Sequence, residues 1–169
     1  MAIDAFGDKL GQCFIQLPPN FTPERAPQLE EYLLNLPEDI PLSIEFRHPS
    51  WFMNDASAEH CWALLKEKGI GAVISATAGR RDAVHMRMTS EVLVLRYGGY
   101  DLHSSDKSRI QQWSERIAQW MDLGLKEVYL LIHQSDSIYT PETIQLFAEM
   151  LLKSTGIRIK VPQIQQGLF

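Results

Sequence analysis

The chain has 169 residues, 45% of them hydrophobic and 22% charged, with a net charge of −5. That length supports one domain with a real core, and the charge gives no global drive toward nucleic acid or a membrane surface, so any anion site must be local. Cys13 and Cys61 lie in an apolar strand pattern and a helical one, without zinc-ligand spacing, and read as buried small hydrophobes in a reducing compartment.

Gln12 to Leu17 is a short apolar run closed by Pro18 and Pro19, a buried strand. Thr22 is placed to cap a helix with Pro23 in its first turn, and Leu29, Tyr32, Leu33 and Leu36 keep helical spacing until Pro37. The stretch Leu42 to Trp51, LSIEFRHPSW, then alternates as a strand. Its Ser43, Glu45 and Arg47 point one way, and Leu42, Ile44, Phe46 and His48 the other, until Pro49 stops the ladder. Ser57 is the expected cap of the next helix, with Cys61, Leu64 and Leu65 inward and Trp62 off the stripe, and Gly69 takes the left-handed end.

Ile70 to Ser75 is a third strand, followed by a loop from Thr77 to Ser90 with room for only a short helix. Val92 to Tyr97 is a fourth strand, ending in Gly98-Gly99. Ser104 or Ser105 caps a helix striped by Ile110, Trp113, Ile117, Trp120 and Met121 that ends at Gly124. Glu127 to Gln134 is the fifth strand. Thr140-Pro141 opens the last helix, with Ile144, Phe147 and Leu151 on its stripe, and a weakly alternating tail follows Gly156.

A β-α rhythm repeated five times with short connections calls for parallel strands and right-handed crossovers. No internal domain boundary interrupts residues 1–161, and 162–169 read as a tail. An open doubly wound sheet and part of a (β/α) barrel both fit. Polar residues late in the strands favour the barrel: Gln16, Glu45 with Arg47, and Arg96 all aim at one rim, which in a barrel is the active-site face.

The motifs QLPPNF, SIEFRHPSWF, AGRRD, an arginine two residues before Gly98 and the final-strand IHQSD resemble the domain-of-unknown-function 72 (YecE-like) family from about Phe6 to the end. The resemblance implies a TIM-like barrel of unassigned activity, usually likened to endonuclease IV and sugar isomerases. It implies also that three further βα units, present at the start of family members, have no counterpart here, so that this chain holds five parallel strands with alternating helices. In a second departure, Ala76 stands where relatives carry an acidic residue near the end of the strand before AGRRD. An open barrel has two unpaired edges, from which self-association is expected.

Candidate chemistry gathers at the rim. Glu45 and Arg47 read either as a structural ion pair or as a general base beside an anion clamp, with His133 as polar support. Arg47, Arg80, Arg81 and Arg96 offer converging guanidinium groups for a phosphate or carboxylate, with solvated pairing to Asp82 the alternative for the middle two. Gln16, Gln134 and Asp136 would line the pocket, and Trp51 would stack on a ligand or plug the rim. His48, His103 and His133 with Glu45 and Asp136 have no tight ligand spacing, so structural histidines and no metal are expected. Neither GxxxxGK nor GxGxxG occurs, so no nucleotide cofactor is implied.

The expected partner is thus an anionic small molecule; the alternative is a non-catalytic chain that binds nucleic acid or protein. One feature favours the alternative. Leu168 and Phe169 read either as a pair that folds back onto the barrel or, with Gln165, as a motif that resembles the pentapeptide docking on the replication sliding clamp, although Gln166 and Gly167 stand where leucine and serine or aspartate are usual. With no basic-then-apolar leader in the first residues and no apolar run of membrane-spanning length, the expected location is the cytoplasm.

Overall fold

The computed structural model of the protein describes residues 2–37, 40–53, 55–78 and 84–163. Its strands are β1 (Cys13–Gln16), β2 (Leu42–Glu45), β3 (Gly71–Ala72), β4 (Ile74–Thr77), β5 (Val92–Gly98) and β6 (Glu127–His133). Its α-helices are α1 (Ala26–Leu34), α2 (Ala56–Glu67), α3 (Ser104–Asp122) and α4 (Thr140–Thr155). All described pairings are parallel, and strand order follows chain order, β1-β2-β3 in one sheet and β4-β5-β6 in the other.

The expected third strand is divided at Val73, so six strands in two sheets replace the five of the sequence reading. The physical reason is a change of partner. Gly71 and Ala72 pair with β2, whereas Ile74 to Thr77 pair with β5. Val73 sits at the seam: its N–H donates to the Ile44 carbonyl at 2.9 Å, and its carbonyl receives the His85 imidazole at 3.0 Å.

Each sheet has an apolar face packed on helices. Ile44, Phe46, Leu42 and Ala72 join α1 and α2 in one core, and Ile74, Ala76, Leu93, Leu95 and Tyr97 join α3 and α4 in a second. Fully buried side chains such as Ile44 and Leu95 each contribute about 1.5–3 kcal/mol of transfer free energy. The opposite face carries Phe14, Gln16, Ser43, Glu45, Ser75, Arg96, Leu131 and His133, as the pairing registers require.

The sheet curls about this second face. In a flat sheet with strands ~4.8 Å apart, the four steps from β1 to β6 would span about 19 Å. Yet a methyl group placed on Gly11, just before β1, would lie 3.7 Å from Tyr129 Cε1 of β6. The Arg96 guanidinium of β5 likewise stands 5.9 Å from the Phe14 ring of β1. The shape is an open trough, and no closed barrel forms among the described residues.

Several local expectations change. Residues 84–90 have no regular structure, and the rest of the loop that had room for a short helix, residues 79–83, lies outside the described residues. Asp55, not Ser57, caps α2, accepting from the Ser57 and Ala58 amides; its carboxylate reaches them from outside the helix. His103 Nδ1, not Ser104 or Ser105, caps α3 by accepting the Ser105 N–H. Thr22 makes no side-chain cap bond. Tyr32 is 52% exposed although it shares the predicted stripe, while Trp62 is buried and donates to the Trp51 carbonyl at 3.2 Å. Gly69 and Gly156 take the left-handed conformation at helix ends, with φ of 64° and 74°.

Candidate functional site

The C-terminal ends of the strands converge on Glu45. Parallel register sets Gln16 of β1 beside Glu45 of β2, and Ser75 of β4 beside Arg96 of β5. All four side chains face the trough and meet. Glu45 Oε1 accepts from Ser75 Oγ at 2.8 Å and Arg96 Nη1 at 2.6 Å. Oε2 accepts from Gln16 Nε2 at 2.8 Å and the same Arg96 nitrogen at 2.6 Å. A carboxylate has about four lone-pair positions, so Glu45, only 1% exposed, is saturated as an acceptor.

This arrangement orders the arginines. Both Arg96 bonds to Glu45 come from Nη1, which leaves Nη2 and Nε without partners among the described residues. Arg47 follows the end of β2, is half-buried, and has no ion pair among the described residues. Gln16, Glu45, Phe46, Arg47, Ser75, Thr77 and Arg96 line a cavity of about 240 Å³. Thr77 and His133 share a rim level through their pairings with Gly98, and His133 is exposed there.

Other predicted residues lie elsewhere. Trp51 is fully buried, donates from Nε1 to the Phe21 carbonyl at 2.7 Å, and packs on Phe46 with ring centroids 4.3 Å apart. It is a core anchor and offers no face to a ligand. Gln134 is also buried. It donates to Thr143 Oγ1 at 2.6 Å and accepts the Asp101 N–H at 2.8 Å, which holds the two loops after β5 and β6 together. Asp136 is exposed and caps a short 3-10 turn, accepting from Ile138 N–H. His48 and His103 accept backbone amides as caps, and no cluster of three metal-ligating side chains occurs among the described residues. Arg80 and Arg81, with the tail residues Gln165, Leu168 and Phe169, lie outside the described residues.

The sequence reading missed three partners. Ser75 is one; its alternation with Thr77 on the trough face was the available signal. Ala76 packs among the helices and is 3% exposed, so Ser75 and Thr77 hold the rim positions. Asp106 is the second, fully buried in the first turn of α3. It accepts from Tyr97 Oη, the Tyr100 amide and Arg109 Nη1, at 3.2, 2.7 and 3.1 Å. Burial, reinforced by that carboxylate, holds the Tyr97 phenol above its usual range. Arg109 is the third, and its Nη2 donates to the Ala76 and Gly98 carbonyls at 2.6 and 3.1 Å. A larger cleft of about 890 Å³ runs beside α3, but Arg109 on its wall is already engaged, so the Glu45 rim is the better candidate.

Comparison with known proteins bears on this geometry. The family model described as protein of unknown function DUF72 matches residues 1–166, further toward the start than the motifs alone reach. The UPF0759 protein YecE of Escherichia coli strain K12 is 28% identical over 176 residues, which cover 94% of this chain and 64% of that protein. The chain thus spans less than two thirds of the curated relative's length. Among solved structures, a DUF72 family protein from Enterococcus faecalis V583 superposes with a TM-score of 0.66 at 19% identity, covering 85% of this chain and 61% of that one. One from Thermotoga maritima MSB8 gives 0.55 at 18% identity, covering 82% and 58%. Both show likeness of fold alone. No described helix is long and apolar enough to cross a membrane.

Proposed function

The chain belongs to the DUF72 family, and from that premise we propose that it is a segment of a (β/α) barrel whose strand-end rim binds a phosphorylated or carboxylated ligand. Sequential strand order, the curled sheet and the polar trough face support the barrel reading. The single observation that carries the anion reading is the saturated Glu45 carboxylate, which fixes Arg96 through one nitrogen and leaves the rest of its fork turned to a cavity shared with Arg47.

Glu45 is then a positioning residue. A general base needs a free oxygen, and here Ser75 and Gln16 hold one oxygen each while a single Arg96 nitrogen is shared between them. Arg47 and Arg96 supply the charge, Gln16 and Thr77 line the cavity, and His133 at the same rim is the candidate for proton transfer. Two guanidiniums against one carboxylate leave the rim with a surplus positive charge, which suits an anion on an otherwise acidic chain.

Inorganic phosphate and a short dicarboxylate, titrated against the chain, test this reading by thermal melt. Mass action predicts a rise that grows with the logarithm of ligand concentration, about 2.7 kcal/mol at a hundred times Kd, and Arg47→Ala should abolish most of it. Equal stabilisation of the wild type and Arg47→Ala would mean a general salt effect, and the reading fails.

A further inference from the structure

We infer that the ligand of the rim is a phosphate carrying a flat ring, as a nucleoside monophosphate does, and that Tyr100 is the face on which the ring stacks. The inference rests on the anion reading above and names the chemistry of the ligand's other end.

The loop after β5, residues 99–103, is held from several sides. The Gly99 N–H donates to the His133 carbonyl at 2.9 Å. A methyl group on Gly99 would lie 2.3 Å from Gln134 Nε2, so only glycine lets the chain pass this close. The Tyr100 amide donates to buried Asp106 at 2.7 Å, and the Asp101 amide to Gln134 Oε1 at 2.8 Å. Asp101 Oδ1 in turn accepts the Asp136 amide at 2.9 Å, and the Tyr100 carbonyl accepts the His103 N–H at 2.8 Å.

These bonds keep the backbone where it would not rest by itself. Asp101 and Leu102 have φ of 50° and 61°, the only residues other than glycine in the left-handed region among the described residues. That conformation brings Cβ too close to the following carbonyl oxygen. Strain of this kind persists only where the surroundings over-determine it, and it gathers at ligand sites. The side chain so presented is not used by the fold. Tyr100 is 60% exposed, and its described ring neighbour is the exposed His103, with centroids 5.7 Å apart and planes at 63°. A ring this exposed keeps a face free for a ligand.

The platform stands beside the anion cavity. Gly98 is the register partner of Thr77, which lines that cavity with Arg47 and Arg96. Tyr100 is two residues further on, at most ~7 Å of extended chain, and neighbouring strands lie ~4.8 Å apart. Its Cα is therefore within about 12 Å of the Thr77 Cα. Tyr100 also shares the parity of Arg96, which faces the trough. Side chains reaching in from both ends leave a gap that one pentose spans. Two arginines grip the phosphate, so a glycine-rich phosphate loop is not required. Stacking on one aromatic side chain then adds roughly tenfold in affinity for any base, because every base has a π-face.

The test is calorimetric titration of the full 169-residue chain with adenosine monophosphate, ribose 5-phosphate and inorganic phosphate. Adenosine monophosphate should bind at least tenfold tighter than ribose 5-phosphate, which has the same phosphate and pentose without the ring. Tyr100→Ala should bring it down to the ribose 5-phosphate level, with the affinity for inorganic phosphate and the melting temperature unchanged. Tyr100→Phe keeps the ring and should keep the advantage. Adenosine monophosphate binding no tighter than ribose 5-phosphate, Tyr100→Ala losing nothing, or Tyr100→Ala weakening inorganic phosphate equally would each overturn the inference. The two readings fail separately. Phosphate binding that depends on Arg47, with no gain from the ring, leaves the anion site standing and removes the stacking face. Binding of none of the three ligands removes both.

Discussion

His85 closes the seam between the two sheets, and its protonation should open it. The imidazole is 7% exposed, donates from Nε2 to the Val73 carbonyl at 3.0 Å, and accepts the Arg87 amide at Nδ1. Phe52 stacks on it at 5.1 Å. A second proton would have to sit on Nδ1, facing an N–H donor. Burial pushes the imidazole down to about 4, against a contrary pull from the Val73 bond and with added help from the Arg87 charge. The unfolded chain takes the proton near 6.5, and the folded chain resists it until about 4. The stabilisation is therefore complete above pH 6.5, decays as pH falls, and is gone below 4. About 2.5 units at 1.36 kcal/mol each give about 3 kcal/mol, with a slope near 1.4 kcal/mol per unit at mid-range. Urea denaturation from pH 4 to 8, followed by the tryptophan fluorescence to which Trp62 contributes with its ring centroid 5.6 Å from His85, measures this. Carboxylates also titrate in that range, so the comparison is with His85→Gln, which keeps a donor and does not titrate. The stability gap between the two proteins should shrink by about 3 kcal/mol from pH 7 to pH 4. Parallel curves would refute the seam argument.

Asp106→Ala should destabilise the chain by about 3 kcal/mol in chemical denaturation, because it strands Arg109 and the Tyr100 amide beside a buried Tyr97; a loss under 1 kcal/mol would show the cluster to be dispensable. Cys61 is fully buried, and burial pushes its thiol up to about 12, so maleimide should label Cys13 in the native protein and Cys61 only with global unfolding. Native labelling of Cys61 as fast as Cys13 would contradict the packing of α2.

The element order, the parallel class and the two faces of Leu42–His48 were legible in the sequence because alternation and helical spacing are local signals. The partner of Glu45 was not legible: the sequence pairs it with Arg47, and the structure sets Arg96 of β5 against Glu45 instead. Two more things were not legible. The break at Val73 depends on which neighbour each half-strand finds, and a strand carries no mark of its partner. The fate of Trp51 depended on packing after Pro49: one short 3-10 turn carries the ring inward, onto Phe46 and the Phe21 carbonyl. Helix caps were misassigned by one or two residues because Ser, Thr, Asp and His are interchangeable in that role until geometry selects one. Asp106 reads from sequence as a favourable charge in a first turn; its three bonds come from β5 and its following loop as much as from its own helix.

The seam has a mechanical consequence. Each side of Val73 has its own apolar core, one on α1 and α2 and the other on α3 and α4. Arg47 belongs to the first half, following β2, and Arg96 to the second, on β5. The Glu45–Arg96 pair already spans the join. An anion gripped by both arginines is a strut between two bodies, and its binding energy appears as cooperativity: halves that could loosen separately must then loosen together. Occupancy would stiffen the whole chain while making few contacts of its own.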